Sequence, residues 1–517
     1  MRQHSVLFLS LVWLLPLLGA LWLRLRPRLS PERVRRHALV VTFLTLVLTV
    51  CVVLFFADHT SVFLTQGGSQ GWRLLVADYH IGADGLSALL LPITVALGSC
   101  VIAASPTASL TPIVGSRMLW SLGSVLGALL SLDALLLLVF WALSLLPLYR
   151  DLQQRQQVAE RVTRALFRLM LLGCVLPLAG FVVGLAWPGT LSSQALLQGR
   201  FNLVGLSQPG AFANPTVALL LGSLLLLSCL VRIGVFPFHL WIAPLANHGP
   251  GALSMVTFST PLGIFVIARV LLPVFPQVCH LAFPYLLSVA VLSALYAAVV
   301  GLGQHDLRRA LGYFWMSQQG FLLAGLSSLT SEGISGALLH AIGTVIVRIG
   351  LVLIAASVVA RAGTSDLRFL GGFAARAPLM ATSFLLLSIA AIGLPGTAGF
   401  VSEDLIVQGL LREHPMAAVM LLITTALNGI LLFSLFARVF LAGSSPLPGA
   451  LQNHEFPEFL PRERWVSLFL IGLLLVGGVA SAPLLSVRDS VVGALPSLSA
   501  LPDVDGFFHS SAPATKR

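Results

Sequence analysis

The chain has 517 residues, of which 57% are hydrophobic and only 9% charged, with a formal net charge of +11. Soluble globular proteins carry about 25% charged residues, so a soluble enzyme, a nucleic-acid-binding domain and a disordered protein are all excluded. The basic balance does not reopen nucleic-acid binding, because the arginines sit between apolar spans, where the orientation signals of membrane proteins belong.

Apolar runs approach the roughly 20 residues a helix needs to cross a bilayer. They fall at about 5–23, 37–57, 83–104, 113–131, 132–149, 165–186, 215–240, 251–273, 281–302, 310–329, 333–359, 379–411, 415–440 and 465–485. The expected fold is therefore all-α, a polytopic membrane protein of fourteen spans. Span 1 has the look of a signal peptide, but it runs on into Trp22-Leu23 without a small-residue cleavage site, so it reads as a retained helix. Cys51, Cys100, Cys174, Cys229 and Cys279 are scattered, with no CxxC and no Cys/His cluster. Neither a metal site nor a disulfide framework is expected.

The loops carry an orientation signal. Arg24, Arg26, Arg28, Arg33, Arg35 and Arg36 follow span 1; Arg150, Arg155, Arg161 and Arg164 follow span 5. Arg308 and Arg309 follow span 9, Arg361, Arg368 and Arg376 follow span 11, and Arg438, Arg462 and Arg464 follow span 13. All these loops are odd-numbered; Arg73 and Arg200 are exceptions on the even side. The pattern puts the odd loops inside and both termini outside.

Two spans are interrupted alike. Span 7 reads Arg232-Ile-Gly-Val-Phe-Pro-Phe-His-Leu-Trp241, with Gly234 and Pro237 inside it; span 12 carries Gly393, Pro395, Gly396 and Gly399 ahead of Glu403. Proline removes a backbone donor, and broken backbone survives at membrane depth only where protein or water covers it. Paired breaks five spans apart predict inverted repeats of spans 4–8 and 9–13; the alternative is two ordinary proline kinks. The implied division is residues 1–110 (spans 1–3), 111–275, 276–440, 441–485 (a loop and span 14) and an extramembrane tail at 486–517.

Several segments resemble the antiporter-like, proton-conducting membrane subunits of complex I, of the NADH-quinone oxidoreductase subunit M type. Mrp cation/proton antiporters, membrane-bound hydrogenases and inorganic-carbon pumps have similar subunits. The matching segments are His80-Ile-Gly-Ala-Asp-Gly-Leu-Ser87, Arg232 through Trp241, Gln304-His-Asp-Leu-Arg-Arg309 with Tyr313 and Ser317-Gln-Gln-Gly-Phe321, Leu370-Gly-Gly372, and Gly393-Leu-Pro-Gly396 with Gly399-Phe-Val-Ser-Glu403. They cover roughly residues 78–440. The resemblance implies an ion-moving subunit working beside other membrane subunits of a larger complex, in a bacterial inner membrane.

The departures from the family pattern are as informative. Ala142 stands where the family has a span 5 glutamate, and Arg232 replaces the span 7 lysine. Residues 251–268 hold no basic residue where a span 8 lysine belongs. Arg348 falls at a span 11 lysine position, with Thr344 in place of a histidine, and the only lysine is Lys516. Arginine keeps its proton essentially always, so Arg232 and Arg348 are fixed charges and poor relays. Glu403, Asp404, His239 and His340 are the remaining groups able to titrate in or near the membrane.

For each, a plainer role competes. Glu403 either relays protons or balances an arginine. Arg232 tunes a pathway or holds unwound carbonyls, and Arg348 does likewise or snorkels. His239 and His340 are relay groups or satisfied polar residues. Asp84 caps or tethers span 3. Ser317, Gln318 and Gln319 line a water wire or bind neighbouring helices. The chain has no Gly-rich dinucleotide fingerprint, no cluster-binding cysteines and no haem motif, so no cofactor is expected and electron transfer falls to partners. An antiporter subunit, an inorganic-carbon uptake subunit and a non-conducting structural relative are the alternatives.

Overall fold

The computed structural model describes residues 2–57, 64–66, 73–74, 77–154, 160–246, 261–443 and 458–479. The expected tail at 486–517 with Lys516, the loop arginine Arg155 and the stretch 251–260 that opens span 8 lie outside the described residues.

Each of the fourteen apolar runs contains a helix, and each helix takes the number of its run. They are α1 (Arg2–Arg24), α2 (Pro31–Ala57), α3 (Gly85–Ala104), α4 (Pro112–Leu130), α5 (Ala134–Gln154) and α6 (Glu160–Ala186). Next come α7a (Pro215–Ile233), α7b (Ile242–Ala246), α8 (Pro261–Val274), α9 (Pro276–Leu302), α10 (Leu307–Ser327) and α11 (Ser331–Ala362). The chain goes on through α12a (Pro378–Ala391), α12b (Ala398–Leu411), α13 (Pro415–Phe436) and α14 (Pro461–Val479). Among the described residues nine of these, α2 to α6, α7a, α9, α11 and α13, are long and apolar enough to cross a membrane. Short antiparallel pairs, 64–66 with 81–83 and 73–74 with 77–78, lie between α2 and α3.

Helix starts are capped by short polar side chains that accept from otherwise orphaned amides. Asp84 accepts from Ser87 N in a capping box on α3. Asn214 precedes Pro215, and Asp306 accepts from Arg308 N and Arg309 N; Thr330 and Thr397 cap α11 and α12b. Prolines alone do not break these helices: Pro16, Pro92, Pro147, Pro177 and Pro284 all lie inside continuous ones. The two expected breaks are present, and glycine makes both. Gly234 (φ +78°) ends α7a, and a Cβ there would meet Ile242 at 2.5 Å. Gly393 (φ +81°) and Gly396 (φ +91°) separate α12a from α12b.

Contacts between helix ends sort the loops into two sides. Arg35 donates to Ser105 O (2.6 Å), Arg117 pairs with Asp151 (2.8 Å), and Arg462 donates to Thr107 (3.2 Å). Arg361 pairs with Glu463 (2.9 Å), and Leu367 N donates to His305 O (2.8 Å). These join the ends of the loop after α3 and of the arginine-rich odd loops after α1, α5, α9, α11 and α13. On the other side Arg269 pairs with Asp84 (2.6 Å), and Leu132 N donates to His80 O (3.1 Å). The molecule is a multi-pass membrane protein. At its centre α11 is buried along nearly its whole length and packs on α10 and α12b.

Candidate functional site

At the α7 break the buried charge is Arg232, in the last turn of α7a and 1% exposed. Its guanidinium donates to Trp141 O (3.2 Å) and Ser144 Oγ (2.7 Å) on α5, and lies over the Trp141 ring with its carbon 4.2 Å from the centroid. Trp141 and Ser144 are about one turn apart and share a helix face. Ala142, at the family's glutamate position, is half-buried between them. A desolvated cation on an aromatic face is worth roughly 2 kcal/mol, which offsets part of the cost of burying Arg232.

Beyond the break, Phe236 N donates to Ser293 Oγ of α9 (3.1 Å), which satisfies an amide the turn would orphan. His239 is buried against the Phe236 and Tyr296 rings, with centroids 5.7 and 5.4 Å away. Trp241 meets Trp315 of α10 edge-on at 5.9 Å. Trp315 in turn lies under Arg348 of α11, whose guanidinium carbon is 4.0 Å from the ring centroid. Each arginine thus rests on a tryptophan face, Trp141 for Arg232 and Trp315 for Arg348.

At the α12 break the buried charge is of the opposite kind. Glu403, 8% exposed, lies in the first two turns of α12b, and its Oε2 accepts from Thr425 Oγ1 of α13 (3.2 Å). Its carboxyl rests against Gly393, where a Cβ would stand 3.4 Å from Oε2. The glycine thus supplies both the left-handed turn and the room for the carboxylate. Asp404, the next residue, is exposed and accepts from Gln408 (2.6 Å), so the structure directs the two acids to different surroundings.

His340 of α11 shares a hydrogen bond with Ser402 Oγ (Nδ1 to Oγ, 3.0 Å), one residue from Glu403. Its Nε2 meets no protein partner, and the ring lines a small, mainly apolar cavity of about 10 Å³ with Gln318, Thr344, Phe314 and Val347. The space is about that of a single water, with His340, Gln318 and Thr344 as its polar neighbours. Ser317 instead donates to Ala294 O (2.9 Å) and accepts from Asn428 Nδ2 (2.9 Å). It ties α9, α10 and α13 together. Of the three polar residues singled out on span 10, Ser317 is therefore a tether and Gln318 faces the cavity.

Sequence reasoning did not single out Thr425, Asn428 or Arg269. Thr425 and Asn428 stand three apart in a largely apolar span, and that spacing was the available signal for a polar face on α13. Arg269 sits in a wide turn (Ile267–Leu271) of α8, donates to Leu129 O (2.6 Å) and pairs with Asp84, both side chains being 8% exposed. Asp84 has the tethering and capping role. An equivalent wide turn, Ala437–Leu441, ends α13 with the same Ala-Arg-Val sequence. Among the described residues no cluster of His, Cys, Asp or Glu has the makings of a metal site.

Residues 131–429 match the family described as NADH:quinone oxidoreductase/Mrp antiporter, TM. The NADH-quinone oxidoreductase subunit M of Mycobacterium tuberculosis (strain CDC 1551 / Oshkosh) is 27% identical, over 95% of this chain and 94% of that protein. A chain of respiratory complex I from Thermus thermophilus superposes with a TM-score of 0.81 at 24% identity, covering 94% of this chain and 99% of that one. A chain of the Mrp complex from Dietzia sp. DQ12-45-1b gives 0.78 at 19% identity, covering 95% and 98%. With more than half its length matched, the chain belongs to the NADH:quinone oxidoreductase/Mrp antiporter transmembrane family.

Proposed function

We propose that this chain is a proton-translocating membrane subunit of a complex I-like NADH-quinone oxidoreductase. It moves protons while partner subunits carry the electrons. The observation that carries the reading is Glu403: a buried carboxyl at a glycine break, hydrogen-bonded to Thr425 and one residue from the Ser402–His340 pair, which reaches a small cavity shared with Gln318 and Thr344. Intramembrane ionisable groups are costly and mark pathways. Glu403 and His340 take the relay roles, while Arg232 and Arg348 supply fixed positive charge. His239 stands at the odd-loop end of α7, and Asp404 acts at an exposed surface towards a partner or the bilayer.

Fourteen spans with both termini periplasmic in a bacterial inner membrane complete the proposal. Its support is the arginine-rich odd loops and the contacts that join them on one side. Spans 4–8 and 9–13 act as inverted repeats, supported by the paired breaks and the paired Ala-Arg-Val turns of α8 and α13. The likeness to the Mrp chain favours a second reading, a subunit of a cation/proton antiporter.

Affinity purification in mild detergent, followed by identification of the co-purifying subunits, tests the assignment. Oxidoreductase subunits support the first reading. A set of small antiporter subunits supports the second, and a zinc-type soluble partner would replace both with an inorganic-carbon pump.

A further inference from the structure

The buried arginines share a feature that the charge pattern alone does not account for. Arg232 and Arg348 are 1% and 6% exposed, and each guanidinium lies on the face of a buried tryptophan. The distances are 4.2 Å to Trp141 and 4.0 Å to Trp315. The other cation–aromatic contacts among the described residues, at 5.2, 5.4 and 5.8 Å, are all looser. Both tryptophans follow a phenylalanine, as Phe140-Trp141 on α5 and Phe314-Trp315 on α10. Those helices are five spans apart, as the two breaks are.

Indole hydrogen bonding does not set the pose of Trp315, whose buried N–H meets no acceptor. The indoles of Trp120, Trp141 and Trp241 are alike in this, but of the four only Trp141 and Trp315 carry a guanidinium on the ring face. On α5 the same turn adds Trp141 O and Ser144 Oγ as acceptors for Arg232. The ring face and the two oxygens together do the holding expected of a carboxylate at position 142. A carboxylate there would add a negative charge beside the arginine, whereas the aromatic face adds none and fixes the guanidinium's position.

We propose that Trp141 and Trp315 are positioning residues for proton movement, each fixing a permanently charged guanidinium (Arg232 and Arg348) at a set place beside the pathway. The proposal rests on the proton-translocating reading above. Neither tryptophan exchanges a proton; each acts through its arginine. A guanidinium released from the ring face would keep its charge but lose its place, and proton transfer would slow without any relay group being lost.

The test uses the whole complex, purified with its partner subunits and reconstituted in lipid vesicles, with internal pH followed by a dye after NADH and quinone are added. Trp141→Leu is expected to lower the initial rate at least tenfold with subunit composition unchanged. Trp141→Phe, a smaller and weaker aromatic face, should retain an intermediate rate. Arg232→Gln should lower the rate as well, and adding Trp141→Leu to it should cost less than twofold more, because the tryptophan acts through the arginine. Trp315 and Arg348 should behave alike. If Trp141→Leu fails to assemble, Trp141→Phe decides alone: a severalfold loss in an intact complex supports the proposal, and a wild-type rate overturns it. Losses that multiply in the double variant show packing only and also overturn it. A wild-type complex that reduces quinone but moves no protons overturns the proposed function itself. Full rates in all the tryptophan variants beside an active wild type overturn this inference alone.

Discussion

At the α7 break the groups that hold the cation include a ring face, a carbonyl and a hydroxyl, none of which can take its proton. At the α12 break an acid is held by a single hydroxyl, next to a histidine pair and a cavity. The same local device, glycine in the left-handed region followed by a restarted helix, serves both. What differs is the chemistry placed there, because arginine stays charged while a buried carboxyl can exist in either state. On the proposed function, the α7 break keeps its charge in place, as Arg348 is kept on α11, while the α12 break lets a charge change.

If the first half is held by fixed charges, removing one should cost stability first. Asp84→Asn leaves Arg269 buried beside a neutral amide, and breaking a buried pair costs roughly 3–5 kcal/mol. The thermal midpoint of the detergent-purified protein should fall well below wild type. An unchanged midpoint would show that Leu129 O and the α3 cap suffice without the carboxylate.

A smaller effect separates the two breaks more sharply. Gly393→Ala forces a residue with a Cβ into a left-handed conformation, 3.4 Å from the Glu403 carboxyl oxygen. The backbone cost is about 1–2 kcal/mol, so the protein should fold with a modestly lowered midpoint. Proton movement, measured in vesicles, should fall severalfold, out of proportion to stability. Equal losses of stability and rate would make Gly393 a turn residue alone.

The smallest effect belongs to the loop after α11. Arg368 hydrogen-bonds Asp366 and holds its carboxyl down at about 2, below its ordinary 3.8, on an exposed surface. A carboxyl depressed in the folded state contributes stability above its unfolded value and loses it as pH falls through the folded one. Between pH 5 and 8 that contribution is present and constant, so Asp366→Asn should lower the midpoint only slightly, as for an exposed pair, and leave its pH dependence in that window at wild type. A clear drop at pH 7 would mean that the loop carries more than an exposed pair.

Much of this was legible in the residues. Hydropathy located every helix-bearing run, and Gly234, Gly393 and Gly396 marked the breaks, because positive φ and lost helical hydrogen bonds both leave glycine and proline signatures. Of the odd-loop arginines, Arg35, Arg361 and Arg462 make contacts between loop ends on one side; Arg117, inside α4, was not among them. The partners of the buried charges were not legible. Nothing in Phe140-Trp141 says that its ring will face a guanidinium ninety-one residues on, since an apolar helix gives no periodicity from which to read its inward face. Thr425 and Asn428 were hidden in the same way. Arg269 was passed over because it stands just beyond the stretch where a family lysine was sought, and only tertiary packing joins it to Asp84.

The measurement that bears most directly on the division between fixed and changeable charge is proton movement by the Glu403→Gln variant in the reconstituted complex. Glutamine keeps the shape of Glu403 and an oxygen for Thr425 to donate to, so assembly should match wild type. It holds no exchangeable charge, so proton movement through this subunit should be lost, with quinone reduction continuing or slowing only by loss of coupling. Poor assembly would instead make Glu403 a structural counter-charge, and normal assembly with undiminished proton movement would contradict the account.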